Sequence, residues 1–148
     1  MLWNLFSTGP DWALTVMRVI LGVVFFAHGA QKMLGWFGGA GLKETLRTMR
    51  EHLHLPAPLA LLAVTSEFLG GLGLIVGLLG RVAAIGICVT MLAAIVMVHG
   101  RYGLFMNWFG DRKGHGIEYH LLAIALAITI IVRGSGAASL DHLLYISR

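Results

Sequence analysis

Four long apolar runs, each broken off by glycine, proline or charge, constrain this chain more than any other feature: Trp12 to Leu34, Pro58 to Leu79, Val82 to His99 and Ile117 to Val132. A bilayer's hydrocarbon core is about 30 Å thick and takes roughly 20 apolar residues of helix to cross. Composition agrees, with 57% hydrophobic and 12% charged residues and a mean hydropathy of +0.81, far from a soluble domain or a disordered chain. Thr8-Gly9-Pro10-Asp11 marks a helix start before the first run, Pro56 and Pro58 flank the start of the second, and Gly134-Ser135-Gly136 ends the fourth. The first run has no cationic leader and carries Arg18, His28, Gln31 and Lys32, so it is expected to stay in the mature protein. The expectation is an all-α integral membrane protein: one domain over residues 1–148, folded as an antiparallel four-helix bundle with a short interfacial helix between the first two spans.

Only Gly80 and Arg81 separate the second and third runs, so these form an antiparallel hairpin and the spans alternate up and down, with both termini on one side. Between the first two runs, Leu42, Leu46, Met49 and Leu53 recur at helical spacing opposite Lys43, Glu44, Arg47, Arg50 and Glu51, which predicts a helix lying flat at the interface. The connection from Gly100 to Gly116 carries Phe105, Met106, Asn107, Trp108 and Phe109 among glycines and suits headgroup depth or a re-entrant lid. Lys43, Arg47, Arg50, Arg101, Arg112 and Lys113 lie in the two long connections, against Arg81, Arg133 and Arg148 opposite. The positive-inside rule then places the long connections in the cytoplasm and both termini outside. The basic residues are too scattered for a nucleic-acid partner. A single cysteine, Cys88, excludes a disulfide or a two-thiol relay within one chain.

An ionisable side chain at bilayer depth costs roughly 2.5 to 3.5 kcal/mol even on the mild insertion scale, so each one needs a partner or a role. Arg18, Gly22, Phe25, His28, Gly29 and Lys32 share one stripe of the first helix. Arg18 is expected to be structural, satisfying carbonyls or an acid. Connectivity brings the end of the first span, the start of the second, His99 and the start of the fourth to one side of the membrane. Counted at about 1.5 Å per residue from the long connections, Glu67 lies about 14 Å deep and His28 about 9 Å, with Lys32, His99, Glu118 and His120 shallower. These define a candidate cavity entered from the long-connection side and topped by Trp36, Phe37, Phe105, Trp108 and Tyr119. Glu67 must be either protonated or paired with Lys32, Arg18 or a histidine. Glu118 and His120, two residues apart, point about 160° away from each other and cannot both face the cavity; His120 shares a close-packing face with Ala123 and Ala127. No ligand spacing supports a metal site at His28, His99, His120 and Glu67. Gly70, Gly73 and Gly77 align on one face of the second span and predict close helix approach, within one chain or between two copies.

His28-Gly29-Ala30-Gln31-Lys32 followed by Gly35-Trp36-Phe37-Gly38-Gly39, Glu67-Phe68-Leu69-Gly70-Gly71 running to Gly80-Arg81, Met91 to His99, Gly116-Ile117-Glu118-Tyr119-His120, and Gly134-Ser135-Gly136 to Asp141 together resemble the DoxX family of small four-span membrane proteins. The resemblance covers about Leu14 to Asp141. It implies a four-helix bundle in a bacterial plasma (inner) membrane, with relatives among subunits of thiosulfate:quinone oxidoreductase and of membrane-associated oxidoreductase complexes. The expected function is a membrane subunit of a quinone-linked oxidoreductase whose cavity holds a quinone headgroup or a small sulfur anion. Lys32, His28, His99, Trp36, Tyr119 and Trp108 would bind the ligand, and Glu67 and Glu118 would relay protons. Quinone is the cofactor expected; no flavin, haem or metal motif is present, so electrons come from a substrate or a redox partner subunit. A second copy of the chain is a further candidate partner beside the bilayer. Two other classes stay open: a non-catalytic scaffold or assembly factor, and a small-solute or proton pathway, which requires a wet cavity reaching Arg18.

Overall fold

The computed structural model describes residues 2–147, and the regular elements among them are helices, with no strand. Six α-helices follow in order: α1 (Trp12–Leu34), α2 (Gly41–Leu53), α3 (Ala57–Val76), α4 (Gly80–Ala94), α5 (Glu118–Arg133) and α6 (Leu140–Ile146). A π turn, Ile95–His99, and a 3-10 turn, Gly100–Tyr102, prolong α4. Three stretches are long and apolar enough to cross a membrane: Trp12–Leu34, Ala57–Val76 and Gly80–Tyr102. α5 is apolar but has 16 residues, about 24 Å of helix.

α1 lies along α3, α3 along α4, α4 along α5, and α5 returns to α1. Between them sits a core that includes Leu21, Phe25, Leu74, Ile87, Met91, Ala127 and Ile130. α2 packs against α1 and α3 and buries none of its residues.

Local chemistry sets the ends of α1 where the sequence predicts them. The Asp11 carboxylate accepts from Leu14 N at 3.0 Å, and Gly35 closes the helix in the left-handed region at φ 74. The turn between α3 and α4 departs from the expectation. α3 stops at Val76 and Gly77 caps it, so Gly80 and Arg81 are not the link but the first residues of α4. The link includes Leu79 at φ 52, a conformation that an L side chain rarely adopts. Asp141 holds it there, accepting from Leu79 N at 2.8 Å and Gly80 N at 2.9 Å. The chain beyond Gly134, expected only as an ending, therefore returns as α6, capped by Ser139 Oγ, which accepts from His142 N at 3.1 Å.

The closest helix approach is made by glycines other than the aligned set. A β-carbon on Gly71 would strike the backbone of Phe26, 2.7 Å from its Cα, and one on Gly29 would strike the backbone of Phe68, 2.8 Å from the Glu67 carbonyl carbon. Gly22 is equally tight, 2.8 Å from Ile75 N. By contrast Gly70 leaves ordinary contacts of 3.6 Å, while Gly77, the α3 cap, makes a close approach of its own to Ser139 at the start of α6, where a β-carbon would lie 2.8 Å from the Ser139 Cα. Backbone contact between α1 and α3 is what brings Glu67 within reach of Lys32, one helical turn from Gly29. Gly71→Ala should therefore lower stability by about 1–3 kcal/mol through overpacking, whereas Gly70→Ala should be neutral or mildly stabilising, read as unfolding midpoints in detergent.

Candidate functional site

Polar side chains gather at the two ends of the helix cluster and do different work. At the end holding the α3–α4 turn, Arg18 is completely buried. Its guanidinium donates through Nε to Ser135 O at 2.7 Å, through Nη1 to Leu74 O and to Ile75 O at 2.9 Å, and through Nη2 to Ala138 O at 2.6 Å. Asp141, also buried, accepts from Ser135 Oγ at 2.5 Å besides the turn amides. Arg81 donates to Ile131 O, to Val132 O at 3.0 Å and to Ser7 O at 2.9 Å. Each of these side chains bonds backbone, Arg81 Nε alone of the guanidinium nitrogens lacking a partner, so this end is a staple joining α1, α3, α4, α5 and α6.

At the opposite end the helices surround a cavity of about 300 Å³. Phe25, His28 and Lys32 line it from α1, Glu67 from α3, Met91 and Ala94 from α4, His99 from the π turn, and Tyr119 and His120 from α5. Met106 and His115 of the connecting loop close the top. Lys32 Nζ donates to both oxygens of Glu67, at 2.7 and 2.5 Å, with the carboxylate side chain 4% exposed and the lysine 32%. An ammonium has three donors; the two directed at Glu67 leave one for a ligand.

Two buried polar atoms in this wall have no protein partner, Tyr119 Oη and His120 Nδ1. A buried hydroxyl or imidazole without a partner is costly unless something else satisfies it. The Tyr119 ring stacks on Phe25 at 6.2 Å and sits 6.1 Å from the ring of His28, whose own side is exposed. His99 and His120 face each other with ring centroids 4.3 Å apart.

The structure thus brings together Glu67, Lys32, His28, His99, His120 and Tyr119 from the expected set, and it adds His115 and Met106. It does not bring in the others. Glu118, expected as a second proton carrier, does not line the cavity; its Oε2 accepts from Met106 N at 2.9 Å. Beside it the chain pairs with itself, Ile117 N donating to Gly103 O at 3.0 Å and Glu118 N to Leu104 O at 2.8 Å, so Glu118 anchors the loop. Trp36, 52% exposed, packs edge-on against Phe26 and Phe37, and Trp108, 75% exposed, also lies outside the lining. Phe37 and Phe105 are likewise exposed, so side chains of Met106 and His115 replace the expected aromatic roof. His120, expected either at the cavity or on a packing face, does both, lining the cavity while only 5% exposed. Among the described residues no group of three His, Cys, Asp or Glu side chains is placed to hold a metal.

Comparison with known proteins adds to this geometry. A protein of Bacillus subtilis (strain 168) named "Putative oxidoreductase CatD" is 25% identical over 130 residues, covering 88% of this chain and 85% of its own length. No solved structure matches. The DoxX family model matches residues 13–100, from the start of α1 through the π turn, and so takes in Lys32, Glu67 and His99. This chain, an integral membrane protein with three helices apolar enough to cross a bilayer, belongs to the DoxX family.

Proposed function

We propose that the chain is a membrane subunit of a quinone-linked oxidoreductase in a bacterial plasma membrane, and that its cavity takes the quinone headgroup. The observation that carries the reading is a Lys32–Glu67 pair with a buried carboxylate, in the wall of a cavity of about 300 Å³ that also presents Tyr119 Oη and His120 Nδ1 without protein partners. Ligand pockets start at about this size and combine apolar walls with a few convergent polar groups. A quinone headgroup is a flat ring with an oxygen at either end, and the residues present fit it. Phe25, Met91 and Tyr119 offer apolar and aromatic surface. The spare Lys32 donor serves one oxygen, and Tyr119 Oη or His120 Nδ1 serves the other.

When bound, the quinone supplies a two-electron couple that takes up two protons. Glu67 is the carboxylate of the lining, and Lys32 fixes its position. A carboxylate so held can store a proton and pass it on. Electrons come from a substrate or a partner subunit, in line with the name of the Bacillus subtilis relative. In this reading α5 is the fourth crossing, its short length made up by the paired loop before it, and α2 lies at the interface with its basic face outward. The long connections, and with them the cavity mouth, face the cytoplasm.

Purified protein in nanodiscs should bind a short-chain quinone analogue saturably, as measured by calorimetry. Tyr119→Phe should weaken that binding about tenfold, the worth of one buried hydrogen bond. Wild-type protein that shows no saturable binding would remove the proposal.

A further inference from the structure

We propose that His99 and His120 form a two-imidazole relay that carries one proton at a time between the cavity mouth and the Lys32–Glu67 pair. The inference deepens the quinone reading, because it supplies the route for protons consumed in the cavity. Hydrogen bonding assigns the tautomers. The carbonyl of His115 can only accept, so the 2.9 Å contact from His99 Nδ1 puts the proton on that nitrogen and leaves the lone pair of neutral His99 on Nε2. Its ring lies 4.3 Å from that of His120, whose Nδ1 is buried and unpartnered. Exposure falls along the same line: His115 is exposed, His99 half-buried and His120 only 5% exposed.

The backbone is built to this end. α4 is regular to Ala94 and then widens into the π turn Ile95–His99, which changes the direction of the residues it carries. Such turns recur at functional sites. The other ionisable groups facing the pair are His28 and Lys32 from α1, Glu67 from α3, His115 from the loop and Tyr119 from α5, with Glu118 committed to Met106 N. Lys32 is neutralised by Glu67, so no net charge opposes a proton on the pair. Two imidazolium rings at 4.3 Å would repel each other, which limits the pair to one proton. The transfer is balanced: His99 Nε2 takes a proton from hydronium at the mouth and releases water, that N–H bond breaks as a nitrogen of His120 takes the proton, and His120 gives up a proton inward to the Glu67 carboxylate, where an O–H bond forms. No electron moves, and both rings end neutral.

Nitrogen NMR of the full chain, labelled with 15N-histidine in nanodiscs, tests the assignment. His99 should be protonated at Nδ1 when neutral. His99 and His120 should respond to pH in the same two separated steps, and His120→Gln should reduce His99 to a single step. After a pH jump, protonation of Glu67, followed by its infrared carboxyl band, should slow about tenfold or more in His120→Gln but not in His52→Gln, an exposed histidine of α2 outside the cavity. Should His120→Gln not fold, His99→Gln, read on His120, serves instead. His99 carrying its proton on Nε2, independent titration of the two rings, or an unchanged Glu67 rate overturns the relay. Coupled titration with a slowed Glu67 rate upholds it even where the quinone analogue fails to bind, an outcome that removes the quinone reading alone.

Discussion

Lys32→Met should destabilise the folded protein by about 3–5 kcal/mol, while the double substitution Lys32→Met with Glu67→Leu should recover most of that loss and still abolish binding of a quinone analogue. The asymmetry follows from burial. Glu67 is 4% exposed and receives both of its strong hydrogen bonds from Lys32 Nζ, so removing the lysine strands a carboxylate in a dry wall. Removing both partners leaves no charge to strand, and two apolar side chains can fill the space. Urea or thermal unfolding in detergent, with calorimetry on the double variant, reads all three effects. A double variant that is stable and binds the analogue as tightly as wild type would reduce the pair to a structural role.

Arg18→Met should be more damaging still, with a loss above about 4 kcal/mol and little folded protein recovered. Four carbonyls, those of Leu74, Ile75, Ser135 and Ala138, lose their donor at once, and each buried acceptor left unsatisfied costs about 1–3 kcal/mol. Their sum rivals the whole net stability of a domain, about 5–15 kcal/mol. Arg18→Lys should not rescue it, because an ammonium presents three donors from one point whereas the guanidinium spreads five over a rigid plane. Folded yield and limited proteolysis report the outcome. The fraction that does fold should keep its affinity for a cavity ligand, since Arg18 works at the opposite end.

The sequence made the long apolar helices legible because their signals are local. Asp11 and Gly35 bound α1 at both ends, and Pro56 announces α3. The α3–α4 turn differs from its expected place by a few residues because its geometry is set from elsewhere: Leu79 adopts φ 52 with Asp141 gripping its own amide and the next, and Asp141 is 62 residues downstream. α6 escaped notice for a similar reason. It has 7 residues, too few for periodicity to reveal, and it is fixed by contacts across the fold. Glycine spacing misled in an instructive way, for Gly73 and Gly77 look like a helix-packing pair, yet Gly22, Gly29 and Gly71 make the contact between α1 and α3, and Gly77 packs instead on Ser139. Which side of α3 faces α1 is a tertiary fact. In the candidate site, Lys32 and Glu67 could be paired from depth and charge alone, while Glu118 could not be separated from them, because its partner is a loop amide whose position depends on how residues 103–105 pair with 116–118.

Between the cavity and Arg18 lies the apolar core, in which Leu74, Ile87, Ala127 and Ile130 are completely shielded. That plug gives the molecule a sidedness. On the proposed reading a proton taken up in the cavity comes from one compartment and returns to the same one, and each nitrogen of the guanidinium beyond the plug is bonded to a backbone carbonyl. A chain built this way can work in an energised membrane without short-circuiting it.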